Sequence, residues 1–290
     1  MRTVPLTQID LIKKYHLTVR GNLGQHILMD PNIARKIVDL LDLQEGDQVL
    51  EIGPGLGALT WGILEYPIHY RAVEKDPRFL EILKREAVAP ENTLRAQSVQ
   101  WIHSDILKFD LASFFKQAGG TFKVISNLPY YITAPILFCL MDSRQWISRC
   151  VLMMQREVAN RLHAFPGTKD YGRLSLALQY AAEVEKAFDV SAGCFTPRPK
   201  VDSSVVTFQF KSQRPLSCEQ EEKELFRLIQ TAFSQRRKTL ANLLVQAGLV
   251  ASRAEAFAML ERSGLAPDIR GEKLSLKDFL VLSENLRKPL

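Results

Sequence analysis

The run Asn127-Leu128-Pro129-Tyr130-Tyr131 sets polar acceptors beside flat rings. The Asn127 side chain offers a carbonyl oxygen, the Leu128 main chain a second one, and Tyr130 or Tyr131 an aromatic face. Two acceptors and a ring suit the exocyclic amine of an adenine taken out of its stack. Asn and Pro are also common turn residues, so the pentapeptide alone is equally the sequence of a turn. Its neighbours decide the matter.

Glu51-x-Gly53-x-Gly55-x-Gly57 is a second candidate. Glycines let the main chain turn tightly and approach a ligand closely. The spacing differs from the G-x-G-x-x-G of dinucleotide sites. Behind an acidic strand residue it is closer to S-adenosylmethionine loops, which hold a nucleoside with a cationic sulfonium. Glu74 follows Gly53 by 21 residues and ends the next apolar run. An acidic side chain there reaches the ribose hydroxyls of a bound nucleoside. Asp105 ends a third run and can accept from an adenine amino group; a plain helix cap is the other reading.

The elements that must position these residues are legible. Short strands are expected at residues 49–52, 72–73, 99–102, 122–126 and 150–154, with helices between them. Asp30-Pro31 and Asp76-Pro77 are helix starts, and Thr133 is expected to cap a helix with Pro135 in its first turn. Strands alternating with helices predict an α/β fold with a mostly parallel sheet. Gly53, Glu74, Asp105 and Asn127 then fall at the ends of four successive strands, where open α/β sheets bind ligands. Beyond these, a helix is expected over 171–182, and late strands, taken as antiparallel additions, over 187–190 and 205–208. From residue 211 onward the pattern is helical, and Pro215 and Ser217 mark a linker. The expected division is 1–210 and 211–290.

Composition narrows the class. The chain has 290 residues, 46% hydrophobic and 24% charged, which is ordinary for a packed globular protein. A net charge of +6 favours an anionic partner. Cys139, Cys150, Cys194 and Cys218 form no C-x-x-C pair, so neither a metal site nor a disulfide framework is expected, and a reducing cytoplasm fits. No signal peptide or membrane span is expected. Arg236-Arg237-Lys238, after the apolar helix around Phe226, suits RNA phosphates or a solvated helix end. Lys200 is a phosphate contact or a solvated charge.

Four stretches together carry a resemblance: Leu23-Gly24-Gln25-His26-Ile27-Leu28, Glu51 to Gly57, Asn127 to Tyr131, and Phe195-Thr196-Pro197-Arg198-Pro199-Lys200-Val201-Asp202-Ser203. They look like the KsgA/RsmA ribosomal RNA adenine dimethyltransferases, over residues 23 to about 240. The resemblance implies a Rossmann-like S-adenosylmethionine-dependent methyltransferase domain and a small all-helical C-terminal RNA-binding domain. It implies transfer of methyl groups to N6 of two adjacent adenosines near the 3′ end of small-subunit (16S) ribosomal RNA, on a pre-30S particle, by a monomer. By the same resemblance His26, Leu28, Gly53, Glu74, Asp105 and Asn127 contact the cofactor. His26 stands where the bacterial family usually shows Asn, and can still donate a hydrogen bond. Asn127, Leu128, Tyr130 and Phe195 would carry the chemistry, with the Phe195 ring stacking on the target base from a proline-stiffened segment; a core phenylalanine is the other reading. The rivals are the large-subunit enzyme of macrolide resistance, a non-catalytic ribosome-assembly or transcription factor on the same fold, and a small-molecule methyltransferase. Leu23-Gly24-Gln25 and Pro135 are closer to the small-subunit group. The intact Asn127-Leu128-Pro129-Tyr130 disfavours a pure binder, and the basic helical appendage disfavours a small-molecule enzyme.

Overall fold

A computed structural model describes residues 7–18, 26–88, 95–213, 215–216, 218–235 and 237–287. Leu23, Gly24, Gln25 and Arg236 lie outside the described residues. The chain divides into two compact units, residues 1–159 with 184–210, and residues 160–183 with 211–290.

In the first unit α1 (Gln8–Lys14) precedes β1 (Ile27–Leu28) and α2 (Pro31–Asp39). Then follow β2 (Gln48–Ile52), α3 (Thr60–Ile63), β3 (His69–Glu74), α4 (Pro77–Ala87), β4 (Ser98–His103), α5 (Leu111–Ala118), β5 (Phe122–Asn127), α6 (Thr133–Asp142) and β6 (Ile147–Gln155). After α7 (Arg156–Leu162) and α8 (Arg173–Ala181), the strands β7 (Ala182–Val190), β8 (Phe195–Thr196) and β9 (Ser203–Phe210) complete it. The main sheet runs β4-β3-β2-β5-β6-β9-β7. β2 is parallel to both β3 and β5, β3 to β4, and β5 to β6, whereas β9 joins β6 antiparallel. The order reverses between β2 and β5, which is the topological switch point of a doubly wound sheet.

The local chemistry accounts for these elements. Asp30 Oδ1 accepts from Asn32 N at 2.9 Å, and Asp76 Oδ1 from Arg78 N at 3.0 Å, so both Asp-Pro pairs start helices as expected. β2 and β5 are largely buried on both faces because helices cover both sides of a parallel sheet. Thr133 departs from expectation. A 3-10 turn over Tyr130–Ile132 carries it inside the helix, and its hydroxyl donates to the Pro129 carbonyl at 3.2 Å instead of capping. β7 starts at Ala182, five residues before the strand expected from sequence. As an edge strand it carries Glu183, Glu185 and Lys186 outward, which blunts an edge and hides the apolar pattern.

The second unit gathers α8, α9 (Glu219–Ala232), α10 (Leu240–Gln246), α11 (Arg253–Arg262) and α12 (Leu276–Arg287). Leu225, Leu228, Leu244, Leu260, Phe279 and Leu282 are buried in it. Residues 160–183 precede the expected division at 210 and pack with this unit. Tyr180 meets Phe226 edge-on at 5.3 Å, and the Tyr171 hydroxyl donates to the Leu274 carbonyl at 2.7 Å. Among the described residues no helix is long and apolar enough to cross a membrane.

The glycine loop yields a graded test. Gly55 and Gly57 have φ of +57° and +81°. A Cβ on Gly55 would meet open space, but on Gly57 it would lie 2.6 Å from Trp61 Nε1. The left-handed conformation alone costs an L-residue about 1–2 kcal/mol. Gly57→Ala is therefore expected to lower unfolding free energy more than Gly55→Ala in chemical denaturation, because Trp61 must also shift. Equal losses would contradict the packing assigned to Gly57.

Candidate active site

Parallel pairing brings the carboxyl ends of four strands to one level. Ile52 pairs with Val73 and Glu51 with Ile125, so Gly53, Glu74 and Asn127 share a row; Glu74 pairs with His103, and Asp105 follows at the end of β4. They border one cavity of about 570 Å³. His26, Leu28, Leu128, Tyr130 and Tyr131 line it as well.

Glu74 is buried, and its two oxygens accept from Gly55 N at 3.0 Å and Asp76 N at 2.8 Å. These bonds fix the carboxylate behind the glycine loop. Burial pushes its pKa up, against the pull of the backbone donors of Asp76, Gly55 and Lys75. Asp105 accepts from Lys75 Nζ at 2.9 Å and from Leu107 N at 3.1 Å, and the Lys75 hydrogen bond holds its carboxyl below the usual range.

Asn127 Nδ2 donates to the His26 carbonyl at 3.0 Å. A carbonyl can only accept, so the amide orientation is determined and Oδ1 is left as the acceptor. His26 is held in turn: its Nδ1 lies 2.7 Å from the Pro197 carbonyl and must carry a proton to bond it. One face of Tyr130 stacks on the His26 ring, with centroids 5.3 Å apart, and its hydroxyl lies 2.8 Å from Ser203 Oγ. β1 pairs with β8, which ties His26 and Leu28 to the segment containing Phe195.

Phe195 itself does not reach the cavity. It is 3% exposed and packs in the core with Leu28, Val190 and Val205. Strand alternation turns Phe195 inward and Thr196 outward, so the base-stacking position expected for it is corrected to a core position. Lys200 is exposed. Asp202 accepts from Ala192 N at 3.0 Å and pairs with Arg156 at 3.2 Å, roles in the chain's own turns. In the second unit Arg237 and Lys238 are exposed between α9 and α10, and Lys238 Nζ donates to Gln246 Oε1 at 3.2 Å.

A profile of the ribosomal RNA adenine dimethylase family matches residues 16–288. The chain belongs to this family. As a ribosomal RNA adenine dimethylase, it is an enzyme that methylates adenine in ribosomal RNA. It is 42% identical to the ribosomal RNA small subunit methyltransferase A of Desulforapulum autotrophicum, over 95% of each chain. Among solved structures, a dimethyladenosine transferase from Plasmodium falciparum superposes with a TM-score of 0.74 at 26% identity, covering 89% of this chain and 96% of that one. The 23S ribosomal RNA methyltransferase ErmE superposes with a TM-score of 0.65 at 22% identity, covering 90% and 100%, which establishes a shared fold.

The same cavity also borders a cluster that sequence reasoning did not assemble. Glu51 is 1% exposed, and its Oε2 accepts from Tyr70 Oη at 2.6 Å and Thr60 Oγ1 at 2.8 Å. Glu51 stood out in the sequence as the acid before the loop, but nothing there ties Tyr70 and Thr60 to it, because adjacent elements supply them. Burial pushes the Glu51 carboxyl up to about 7 from an ordinary 4.5, with the two hydrogen bonds acting the other way. A carboxyl raised in the folded state favours folding while protonated. That contribution is complete below the ordinary value and is lost as pH rises through about 7. Without cofactor, the stability of wild type relative to Glu51→Gln should therefore fall with rising pH, by an amount on the order of 1–3 kcal/mol. Denaturation across that range checks it, and a pH-independent difference would contradict the burial assigned to Glu51.

Proposed function

We propose that this enzyme uses S-adenosylmethionine to convert two adjacent adenosines near the 3′ end of small-subunit (16S) ribosomal RNA to N6,N6-dimethyladenosine. The name of the Desulforapulum relative supports the small-subunit substrate, at an identity well above that to the large-subunit ErmE. The reading includes a pre-30S particle as substrate, a cytoplasmic setting and a monomeric enzyme. It takes the unit of residues 1–159 with 184–210 as the methyltransferase domain and the unit of residues 160–183 with 211–290 as an RNA-binding domain. Arg236, Arg237 and Lys238, with Lys200, would meet phosphates.

The cavity fits such a cofactor. Space is open over Gly53 and Gly55, where a Cβ would stand, so a ligand can lie against the loop. The buried carboxylates of Glu51 and Glu74 border the same cavity and favour a ligand that brings positive charge. Gly53 would lie under the nucleoside, Glu74 would take the ribose hydroxyls, Asp105 the adenine amine, and His26 and Leu28 would close the near wall. When bound, S-adenosylmethionine supplies an electrophilic methyl group on a sulfonium.

The oriented amide of Asn127 is the observation that carries the reading. The adenine amine is a weak nucleophile because its lone pair is delocalised into the ring. Its attack on the sulfonium methyl would break the carbon–sulfur bond and release a neutral thioether, leaving positive charge on N6 until an N6 proton is lost to water. Asn127 Oδ1 and the Leu128 carbonyl, as fixed acceptors in a secluded site, stabilise that charge as it forms and hold N6 in line. The free face of Tyr130 takes the flipped base, which offsets part of the unstacking. No acid–base triad is required. The second transfer demands that the pocket accept a methyl where a proton was.

Incubating the protein with labelled cofactor and unmethylated small subunits, followed by nucleoside mass spectrometry, tests this directly. The expected product is N6,N6-dimethyladenosine, and N6-monomethyladenosine RNA should serve as substrate. A monomethyl product alone, or label confined to large-subunit RNA, would overturn the reading.

A further inference from the structure

Tyr131 is unlike its neighbour. Tyr130 turns inward and is held by Ser203 and His26, whereas Tyr131 is 62% exposed and borders the mouth of the same cavity. The backbone beneath Tyr131 is anchored. Leu128 N donates to the Met153 carbonyl at 2.9 Å, and both Ile132 N and Thr133 Oγ1 donate to the Pro129 carbonyl at 3.2 Å. A large ring is thus held in solvent by a fixed turn, at the edge of the site. Lys75 lines the same cavity; its ammonium pairs with Asp105 at 2.9 Å and its side chain is 64% exposed. The rim therefore combines an unburied aromatic face with a cation.

We propose that Tyr131, with the exposed Lys75 ammonium of the same cavity, binds the nucleotide that flanks the target adenosine: the flanking base stacks on the Tyr131 ring and its phosphate faces the ammonium. The inference rests on the function proposed above and extends it to a residue outside the reacting shell. An adenosine drawn into the cavity stays covalently linked to its neighbours, so a flanking nucleotide must lie at the mouth whenever the site is filled. Enzymes that act on extruded bases take their sequence context from such contacts. Stacking tolerates any base and scales with ring area, so the position favours purine over pyrimidine. Tyr131 is a positioning residue for RNA and has no part in holding the cofactor.

The test compares wild type, Tyr131→Ala and Tyr131→Phe. It uses small-subunit particles reconstituted around RNA with the intact target sequence and matched particles whose RNA has an abasic site in place of the flanking base. Wild type should lose about 5- to 150-fold in kcat/KM on the abasic particles, the range for one stacked base. Tyr131→Ala should show a similar loss on intact RNA and little further loss on the abasic one. Tyr131→Phe should stay near wild type, and cofactor affinity measured by calorimetry should stay within about twofold in all three, against that same stacking range. Undiminished methylation by Tyr131→Ala, or losses from the two changes that simply multiply, would overturn the inference while leaving the proposed function intact. Weakened cofactor binding in Tyr131→Ala would instead assign the ring to the cofactor. A wild type that forms no methylated adenosine would overturn the proposed function and this inference with it.

Discussion

The parallel register of β2 against β3 and β5 is the constraint on which the rest of this molecule depends. It places Gly53, Glu74 and Asn127 on one row and brings Asp105 beside them. A slip of one residue would turn the side chains of a strand to its opposite face and dissolve the site. The register is pinned at the switch point itself. Ser126 Oγ donates to the Ile52 carbonyl at 2.6 Å inside the core, where an unpaired hydroxyl would be costly. Leu128 N continues the ladder to β6, so the chain leaves β5 with Asn127 already aimed.

A second ordering principle is electrostatic. The protein carries a net charge of +6, yet two buried carboxylates, Glu51 and Glu74, stand behind its glycine loop; burial raises the cost of ionising each, and the Glu74 charge adds to the cost for Glu51. Such a pair is tolerable because Tyr70, Thr60 and the loop N–H groups donate to it. Charge of the opposite sign arriving in the cavity would stabilise both ionised forms. The loop geometry and this local negative charge are thus complementary: one makes room, the other selects what fills it.

Much of this was legible in the sequence, for identifiable reasons. Gly53, Glu74, Asp105 and Asn127 could be placed because each follows an apolar run and precedes a helix start, so punctuation alone located them. Asp30-Pro31 and Asp76-Pro77 behaved as written because capping is a local interaction. What escaped notice was long-range. Ser203 belongs to Tyr130 and Pro197 to His26, and these pairings exist only once segments distant in sequence are brought together, whereas Tyr70 reaches Glu51 from the next strand through the register of the sheet. Phe195 was misplaced because a proline-rich segment gives no period to read; its two-residue pairing with β1 decides which way the ring faces. β7 was shortened because an edge strand with charged side chains lacks the signature of a buried one.

The central claim is that the Asn127 carbonyl, oriented by the His26 main chain, stabilises charge on the attacking amine. Single-turnover methylation of small-subunit RNA by folded, cofactor-saturated Asn127→Ala measures this most directly. The account predicts that RNA binding persists while the rate falls by roughly 10²–10³, the range for one electrostatic partner lost at a reacting centre. A wild-type rate, accompanied only by a loss of stability, would contradict it and reduce Asn127 to a residue that shapes a turn.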